Sequence, residues 1–142
     1  MFSFGAASIN ALGGCNIRLV RIASEAIKVS PYDFSITEGH RTRTRQKELF
    51  DLGRTHIDGV VEIGKHNMEP SLAWDFVPYP DTIAGVSVWD EEGWWRFEVV
   101  AGVIMAVANK LLTPVRWGGD WDGDGSRRDQ TLHDLPHIEL RG

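Results

Sequence analysis

The sequence has very little cysteine, with Cys15 as the single thiol among 142 residues. One thiol cannot build an internal disulfide framework, so the fold must be stable under reducing conditions. We interpret Cys15 as a small buried core residue. Long apolar runs are also missing, because the longest, at about residues 99–108, is well short of a membrane-spanning helix, which needs roughly 20 residues. The sequence therefore predicts a soluble chain without a membrane anchor.

The chain has fewer basic than acidic residues: 15 Lys and Arg and 20 Asp and Glu give a formal net charge of -5. Binding to nucleic acid depends mostly on cationic side chains that neutralise phosphates. We therefore expect no nucleic-acid partner. Residues 1–14 have no basic segment ahead of their apolar stretch, so they do not resemble a secretory signal peptide.

The pattern of apolar residues predicts a mixed fold in one domain, residues 1–142, because no linker or repeat divides the chain. Helical spacing and stop signals predict three helices, at about residues 19–27, 43–52 and 91–112. Short apolar runs predict four strands, at about residues 33–37, 72–77, 115–117 and 137–140. Residues 54–71 predict a long irregular loop, and such loops are usually functional or disordered. Because no βαβ rhythm is present, we expect an α+β fold with a small antiparallel sheet packed by helices.

Two histidines and one acid are placed where they could form a metal site. His66 lies in the long loop before the strand that carries Asp75, and His137 begins the last strand. Asp75 is embedded among apolar residues, where an unpaired carboxylate is costly to bury unless a cation neutralises it. Two imidazoles and a carboxylate would leave the fourth position of a tetrahedral zinc site open for water, as in catalytic sites. From the residues alone, histidines on the protein surface are the alternative.

Three segments in order along the chain carry a family resemblance. Residues 64–75, GKHNMEPSLAWD, resemble the Ser-x-His-x-x-Gly-x-Ala-x-Asp signature of zinc peptidoglycan peptidases, and residues 134–137, DLPH, resemble its second signature, Asp/Glu-x-x-His. Residues 39–42, GHRT, with Gln46, resemble the Gly-Tyr-Arg-Ser segment followed by Gln. The family includes VanY-type D-alanyl-D-alanine carboxypeptidases and the L-alanyl-D-glutamate endopeptidases of phage endolysins. Residues 117–121, WGGDW, are similar to the segment before the last ligand in the endolysin branch.

Two departures from the family pattern concern the first signature. Gly64 stands where the family has Ser, and the gap from His66 to Asp75 is two residues longer and lacks the Gly. We interpret the surplus as a wider loop carrying Pro70, which leaves the flanking ligands in order.

The resemblance implies a role for each matched residue and a fold like that of hedgehog domains and D-alanyl-D-alanine peptidases. His66, Asp75 and His137 become the zinc ligands, and Asp134 becomes the general base that activates water. Arg41 becomes the group that stabilises the oxyanion or holds a substrate carboxylate. The residues predicted to contact substrate are Arg41, Gln46, Trp74 and Trp117, and Trp121 is a further candidate for the wall of the cleft. Glu139, two residues beyond His137, is a candidate for orienting a ligand.

The function that the resemblance implies is hydrolysis of the peptide stem of bacterial peptidoglycan, by an L-alanyl-D-glutamate endopeptidase of the endolysin type. A D-alanyl-D-alanine carboxypeptidase is the alternative within the class. A non-catalytic zinc-binding signalling domain and a calcium-dependent wall-binding module are alternatives from other classes. We expect a monomer that accumulates in the host bacterial cytoplasm and acts on the wall after release.

Two further features are a run of acids and a cluster of tryptophans. Asp120, Asp122 and Asp124 match the first half of a calcium loop, but Thr131 stands where an EF-hand needs a bidentate Glu. We therefore predict a weaker calcium site completed by Asp129. The tryptophans at 89, 94 and 95 are interpreted as core residues at the start of the long helix.

Overall fold

The computed structural model describes residues 1–59, 63–126 and 133–141. The helices are α1 (Ala6–Leu12), α2 (Ile17–Val29), α3 (Arg43–Asp51) and α4 (Trp95–Lys110). The strands are β1 (Asp33–Glu38), β2 (Ala73–Tyr79), β3 (Thr82–Ile83), β4 (Val86–Ser87), β5 (Val115–Trp117) and β6 (His137–Leu140). Short 3-10 turns cover Lys65–Asn67 and Glu91–Gly93. Within these ranges, no helix is both long enough and apolar enough to cross a bilayer.

The main sheet has the strand order β1-β2-β6-β5, and every neighbouring pair is antiparallel. Strand β2 lies inside the sheet, so Asp75 is paired with Glu38 on one side and with His137 on the other. Strands β3 and β4 form a separate small hairpin. The expected α+β architecture with a small antiparallel sheet is confirmed, and its register brings the acid of the first signature beside the histidine of the second.

One hydrophobic core lies between the sheet and the helices α2 and α4. Phe76 of β2 makes edge contacts with the rings of Phe34, Trp74 and Phe97. The indole N–H of Trp74 donates to the carbonyl of Leu19 at 3.1 Å, so this buried ring has its polar group satisfied. These edge-to-face ring contacts and the Trp74 hydrogen bond therefore anchor β2, the strand that carries Asp75, against both helices.

Helix α4 buries one face, and its i+4 row of Trp95, Val99, Val103 and Val107 lies at the edge of that face. Trp95 is 47% exposed and Val99 36% exposed, whereas Val103 and Val107 are partly buried against the core. The buried residues are Arg96, Phe97, Val100, Ala101, Ile104 and Ala108. A row with strict i+4 spacing drifts around a helix by roughly 40° per step, because a turn has 3.6 residues. Such a row crosses the edge of the buried face, here from exposed Trp95 to partly buried Val107, whereas mixed i+3 and i+4 steps stay on the core. Trp89 is also exposed, at 53%, so its predicted core position is wrong.

Strand β2 continues through Pro78 to Tyr79, beyond the predicted end at Val77. The N–H of Phe76 donates to Pro136 on the β6 side of the strand. Pro78, two residues further on, faces the same side, where β6 pairs only with residues 73–75. A proline is tolerated there because the missing N–H has no ladder partner to lose.

Candidate active site

Three predicted metal ligands converge on one point. The distance from His66 Nε2 to Asp75 Oδ1 is 3.1 Å, from His66 Nε2 to His137 Nδ1 3.2 Å, and from His137 Nδ1 to Asp75 Oδ1 3.3 Å. Donor atoms of a tetrahedral zinc site with bonds of about 2.0–2.1 Å lie about 3.3 Å apart. The triangle of donor atoms therefore has the size that one zinc ion requires.

Hydrogen bonds on the far side of each ring decide which nitrogen is available to a metal. His66 Nδ1 lies 2.7 Å from the carbonyl oxygen of Gly39, and His137 Nε2 lies 2.9 Å from the Glu139 carboxylate. Both partners only accept hydrogen bonds, so these two nitrogens carry the hydrogens. The remaining nitrogens of the neutral rings then direct lone pairs towards Asp75 Oδ1. Three converging acceptors need a cation between them, and outer partners of this kind are typical of metal-ligating histidines.

The pKa values show that the acid and the histidines at this point interact strongly. Burial acts to raise the pKa of Asp75, but when protons rather than a metal ion lie between the groups, hydrogen bonds from His137 and His66 outweigh burial and hold that pKa well below its usual range. Burial acts to lower the pKa of His137, yet its hydrogen bonds with Asp75 and Glu139 raise the pKa to about 9. A carboxylate that stays ionised beside an imidazole that attracts protons marks a site suited to a cation.

The longer loop between the first two ligands leaves them in place. His66 lies in the 3-10 turn Lys65–Asn67, and the Asn67 side chain accepts a hydrogen bond from the N–H of Gly64. The N–H of Leu72 donates to the carbonyl of Lys65, which returns the chain to the start of β2. The surplus residues are therefore contained between these two points, as expected from the sequence.

Asp134 lies beside the ligands on the segment that enters β6. Its Oδ2 is 3.9 Å from His137 Nδ1, and its side chain is 46% exposed in the cleft that it lines. Its N–H donates to Gly118, and its carbonyl accepts from the N–H of His137. Burial and the charge of Asp75 raise the pKa of Asp134. A carboxylate with a raised pKa, held close to a metal position, is suited to accept and return a proton.

The site opens into a cleft of about 820 Å³. The ligands and Asp134 line one part of it, and segments 53–57 and 63–66 line another. Trp121 also lines the cleft, and its ring lies 5.5 Å from that of His137. The cleft is large enough to hold several residues of a peptide beside the ligands.

A family described as phage L-alanyl-D-glutamate peptidase matches residues 1–141. The chain belongs to this family. It is 29% identical to the L-alanyl-D-glutamate peptidase of Escherichia phage T5, over 98% of both chains. It is similar to the crystal structure of the Serratia marcescens L-Ala D-Glu endopeptidase ChiX, with a TM-score of 0.75 and 29% identity over 98% of this chain and 90% of the other.

In this phage peptidase, Arg41 and Gln46 form a buried pair at the cleft. Arg41 Nη1 donates to Gln46 Oε1 at 2.9 Å, and Gln46 Nε2 donates to Thr55 and to the carbonyl of Ile57. Gln46 is 2% exposed, and its amide is fully occupied by these partners. Gln46 lines the cleft and ties Arg41 to its wall, and the predicted substrate contact of Gln46 stays a prediction. Arg41 lines the cleft, and its role towards substrate stays a prediction.

The two tryptophans predicted to contact substrate lie elsewhere. Trp74 has no exposed surface and packs in the core, so its predicted contact is wrong. Trp117 donates to the carbonyl of Leu135 at 2.6 Å and lines a neighbouring cavity beside α4, outside the cleft. Trp121, from the same WGGDW block, is the tryptophan that lines the cleft of the peptidase.

The acidic loop keeps the predicted arrangement in its described part. Carboxylate oxygens of Asp120, Asp122 and Asp124 all lie within 4.8 Å of one another. Burial raises the pKa of Asp120, and the neighbouring charges of Asp124 and Asp122 act in the same direction. Asp129, the fourth predicted ligand, lies outside the described residues. The loop therefore concentrates negative charge next to Trp121, and its binding of calcium stays a prediction.

Gly118 lets the general-base candidate approach β5 closely, and replacing it tests that packing. A Cβ at position 118 would overlap the carbonyl oxygen of Asp134. We expect Gly118→Ala to lower the free energy of unfolding by roughly 1–3 kcal/mol, as overpacked sites do, and to reduce hydrolysis. Denaturant unfolding and a turbidity assay on cell walls measure the two effects.

The matched control for that variant is Gly102→Ala in the middle of α4. A Cβ at position 102 meets no atom within 4 Å. Alanine should therefore stabilise the helix, by about 0.5–1 kcal/mol. Equal behaviour of the two variants would show that the close approach at Gly118 has no consequence.

Proposed function

We propose that this phage peptidase hydrolyses the L-alanyl-D-glutamate bond in the peptide stem of bacterial peptidoglycan, with a zinc ion held by His66, Asp75 and His137. The convergence of three lone-pair donors at zinc spacing carries the metal part of the proposal. Family membership and the names of both relatives support the choice of bond. Zinc suits this donor set, because imidazole nitrogen and carboxylate oxygen are among its usual ligands.

In the proposed mechanism, Asp134 moves the proton. A zinc ion at this site would supply Lewis-acid chemistry, by polarising a carbonyl oxygen and lowering the pKa of water. The Asp134 carboxylate takes a proton from the attacking water and later delivers it to the leaving amine nitrogen. The raised pKa of Asp134 helps it to hold that proton between the two steps. Arg41 would stabilise negative charge that develops on the substrate.

The alternatives differ in what they require of the site. A D-alanyl-D-alanine carboxypeptidase would use the same ligands, but the family and both relatives are described by the L-alanyl-D-glutamate bond. A purely structural zinc site has no need of a carboxylate beside an open coordination position. The place of Asp134, 3.9 Å from His137 Nδ1 and partly exposed in the cleft, therefore favours catalysis.

The test is digestion of purified peptidoglycan with zinc-loaded protein, followed by mass spectrometry of the new peptide ends. We expect new L-alanine carboxyl and D-glutamate amino ends. Protein treated with a chelator should be inactive until zinc is restored. Free D-alanine would favour the carboxypeptidase, and the absence of any cleavage would refute both.

The cellular site and the oligomeric state are parts of the same proposal. We infer a monomer that accumulates reduced in the host cytoplasm and reaches the wall after release. The single cysteine supports this, because Cys15 is buried and burial raises the pKa of its thiol to about 11. Such a thiol reacts slowly at neutral pH. Fractionation of infected cells and light scattering of the purified protein test these statements.

Calcium is expected to bind the acidic loop weakly. In the described part of the chain, Asp120 Oδ1 is buried without a hydrogen-bond partner, and carboxylate oxygens of Asp120, Asp122 and Asp124 lie within 4.8 Å of one another. A divalent cation would relieve the repulsion among these carboxylates. We predict that calorimetry detects calcium at micromolar to millimolar concentrations, and that Asp122→Asn weakens it while zinc binding is unchanged. Equal calcium binding by wild type and variant would refute this site.

A further inference from the structure

A cation lies unusually close to one of the candidate metal ligands. Arg41 Nη2 is 3.8 Å from Asp75 Oδ2, and the two side chains are only 12% and 18% exposed. Solvent screens such a pair weakly, so the guanidinium competes with a metal ion for the charge of Asp75. Metal binding at Asp75 therefore requires another group that balances the charge of Arg41.

Glu38 occupies that guanidinium. Arg41 Nε donates to Glu38 Oε1 at 2.8 Å, and Arg41 Nη2 donates to Glu38 Oε2 at 2.6 Å. This two-point pairing is the strong geometry for arginine and a carboxylate. Both distances are more than 0.9 Å shorter than the 3.8 Å that separates Arg41 from Asp75. The positive charge is therefore balanced mainly by Glu38.

The backbone places Glu38 for this contact. Glu38 ends β1 and is paired with Asp75, after a shift of register between Ile36 and Glu38. Such irregularities redirect the side chains that follow them. Gln46 holds the other edge of the guanidinium through Nη1. Three of the five N–H groups of Arg41 are thus engaged away from Asp75.

We propose that Glu38 is a positioning residue that sets the metal affinity of the site by holding Arg41 off Asp75. Without the Glu38 charge, Arg41 moves onto Asp75 Oδ2 and neutralises part of the carboxylate charge, so a metal ion at Asp75 Oδ1 is bound less tightly. Glu38 acts through Arg41 and is not itself a ligand. The inference rests on the metal site of the proposed function and is independent of which peptide bond is cut.

The test is a double-mutant cycle read by metal affinity. Zn²⁺ and Co²⁺ are titrated against a chromophoric chelator with the full chain, for wild type, Glu38→Gln, Arg41→Met and the double variant. We expect Glu38→Gln to weaken binding by roughly 10–100-fold, the usual range for residues that support ligands. Arg41→Met should bind at least as tightly as wild type. The double variant should match Arg41→Met within about twofold, the error of additivity for independent effects.

Controls separate this mechanism from general charge and from misfolding. Glu25→Gln removes a carboxylate from the exposed pair with Lys28 and should leave metal affinity unchanged. Glu38→Asp keeps the charge and should recover part of the affinity, and thermal unfolding of the metal-free variants reports the fold.

Three results of the metal titrations would reject the role of Glu38 or the zinc site itself. If Glu38→Gln weakens binding equally when Arg41 is absent, Glu38 acts by its own charge and the inference is wrong. The inference also fails if wild type binds metal and Glu38→Gln binds it equally well. If wild type binds neither metal, both the inference and the zinc part of the proposed function are overturned.

Discussion

Asp134→Asn is expected to keep the metal and to lose nearly all hydrolysis. The substitution preserves the size of the side chain, and the backbone bonds of residue 134 to Gly118 and His137 do not depend on the carboxylate. An amide cannot take a proton from water at neutral pH, so the rate should fall by the roughly 10²–10⁴-fold that a general base contributes. Release of new peptide ends from peptidoglycan measures the rate, and chelator competition measures bound zinc.

The control for this variant is Asp90→Asn, at an exposed position before α4. It makes the same chemical change away from the cleft and should hydrolyse at the wild-type rate. Near-normal turnover of Asp134→Asn would remove Asp134 from the mechanism. Loss of zinc from Asp134→Asn would instead indicate that Asp134 is a ligand or that it supports one.

The fold was predictable where the local pattern is strong. The helix predicted at about residues 43–52 forms as α3, and the side chain of Thr42 accepts the N–H of Arg45 at its start. The last strand, at residues 137–140, was located correctly. The short helix α1 was missed, because its seven residues carry no cap and only a weak apolar stripe. Its position depends on packing, since a Cβ at Gly39 would overlap the carbonyl of Ala11 in α1.

The three residues of the candidate metal site were predictable from the motifs, but their neighbours were not all assigned correctly. Side chains alternate between the two faces of a strand. Asp75 reaches the site, so Trp74 must face the core, as its complete burial shows. The same alternation places Glu139 with His137, where it accepts the ring N–H. Applying the two-residue period at Asp75 would have excluded Trp74 from the substrate contacts.

Glu38 illustrates what sequence alone could not supply. Its three-residue spacing from Arg41 is visible, but the register shift after Ile36 decides which face of the sheet it occupies. Such a shift depends on the pairing of β1 with β2, which are separated by α3 and the long loop. Long-range pairing therefore determines the contacts around the candidate ligands, even when a motif points to the candidate ligands themselves.

His137→Ala is expected to lose both the metal and the activity. His137 Nδ1 is one corner of the donor triangle, and its ring also receives support from Glu139 and lies against Trp121. Two ligands would remain, so zinc affinity should fall by more than the roughly 10–100-fold typical of losing a supporting residue. Equilibrium dialysis with Zn²⁺ and hydrolysis of peptidoglycan measure the two losses in the same preparation.

The matched control is His56→Ala, which removes another histidine that lines the cleft. It should retain zinc at wild-type affinity, because His56 is not part of the donor triangle. Because His137 is buried, circular dichroism of the metal-free variants must first show that each one is folded. Zinc binding by folded His137→Ala at wild-type affinity would contradict the ligand set. Taken with Asp134→Asn, the result separates the two roles: one substitution removes the metal, whereas the other leaves it bound in an enzyme without its base.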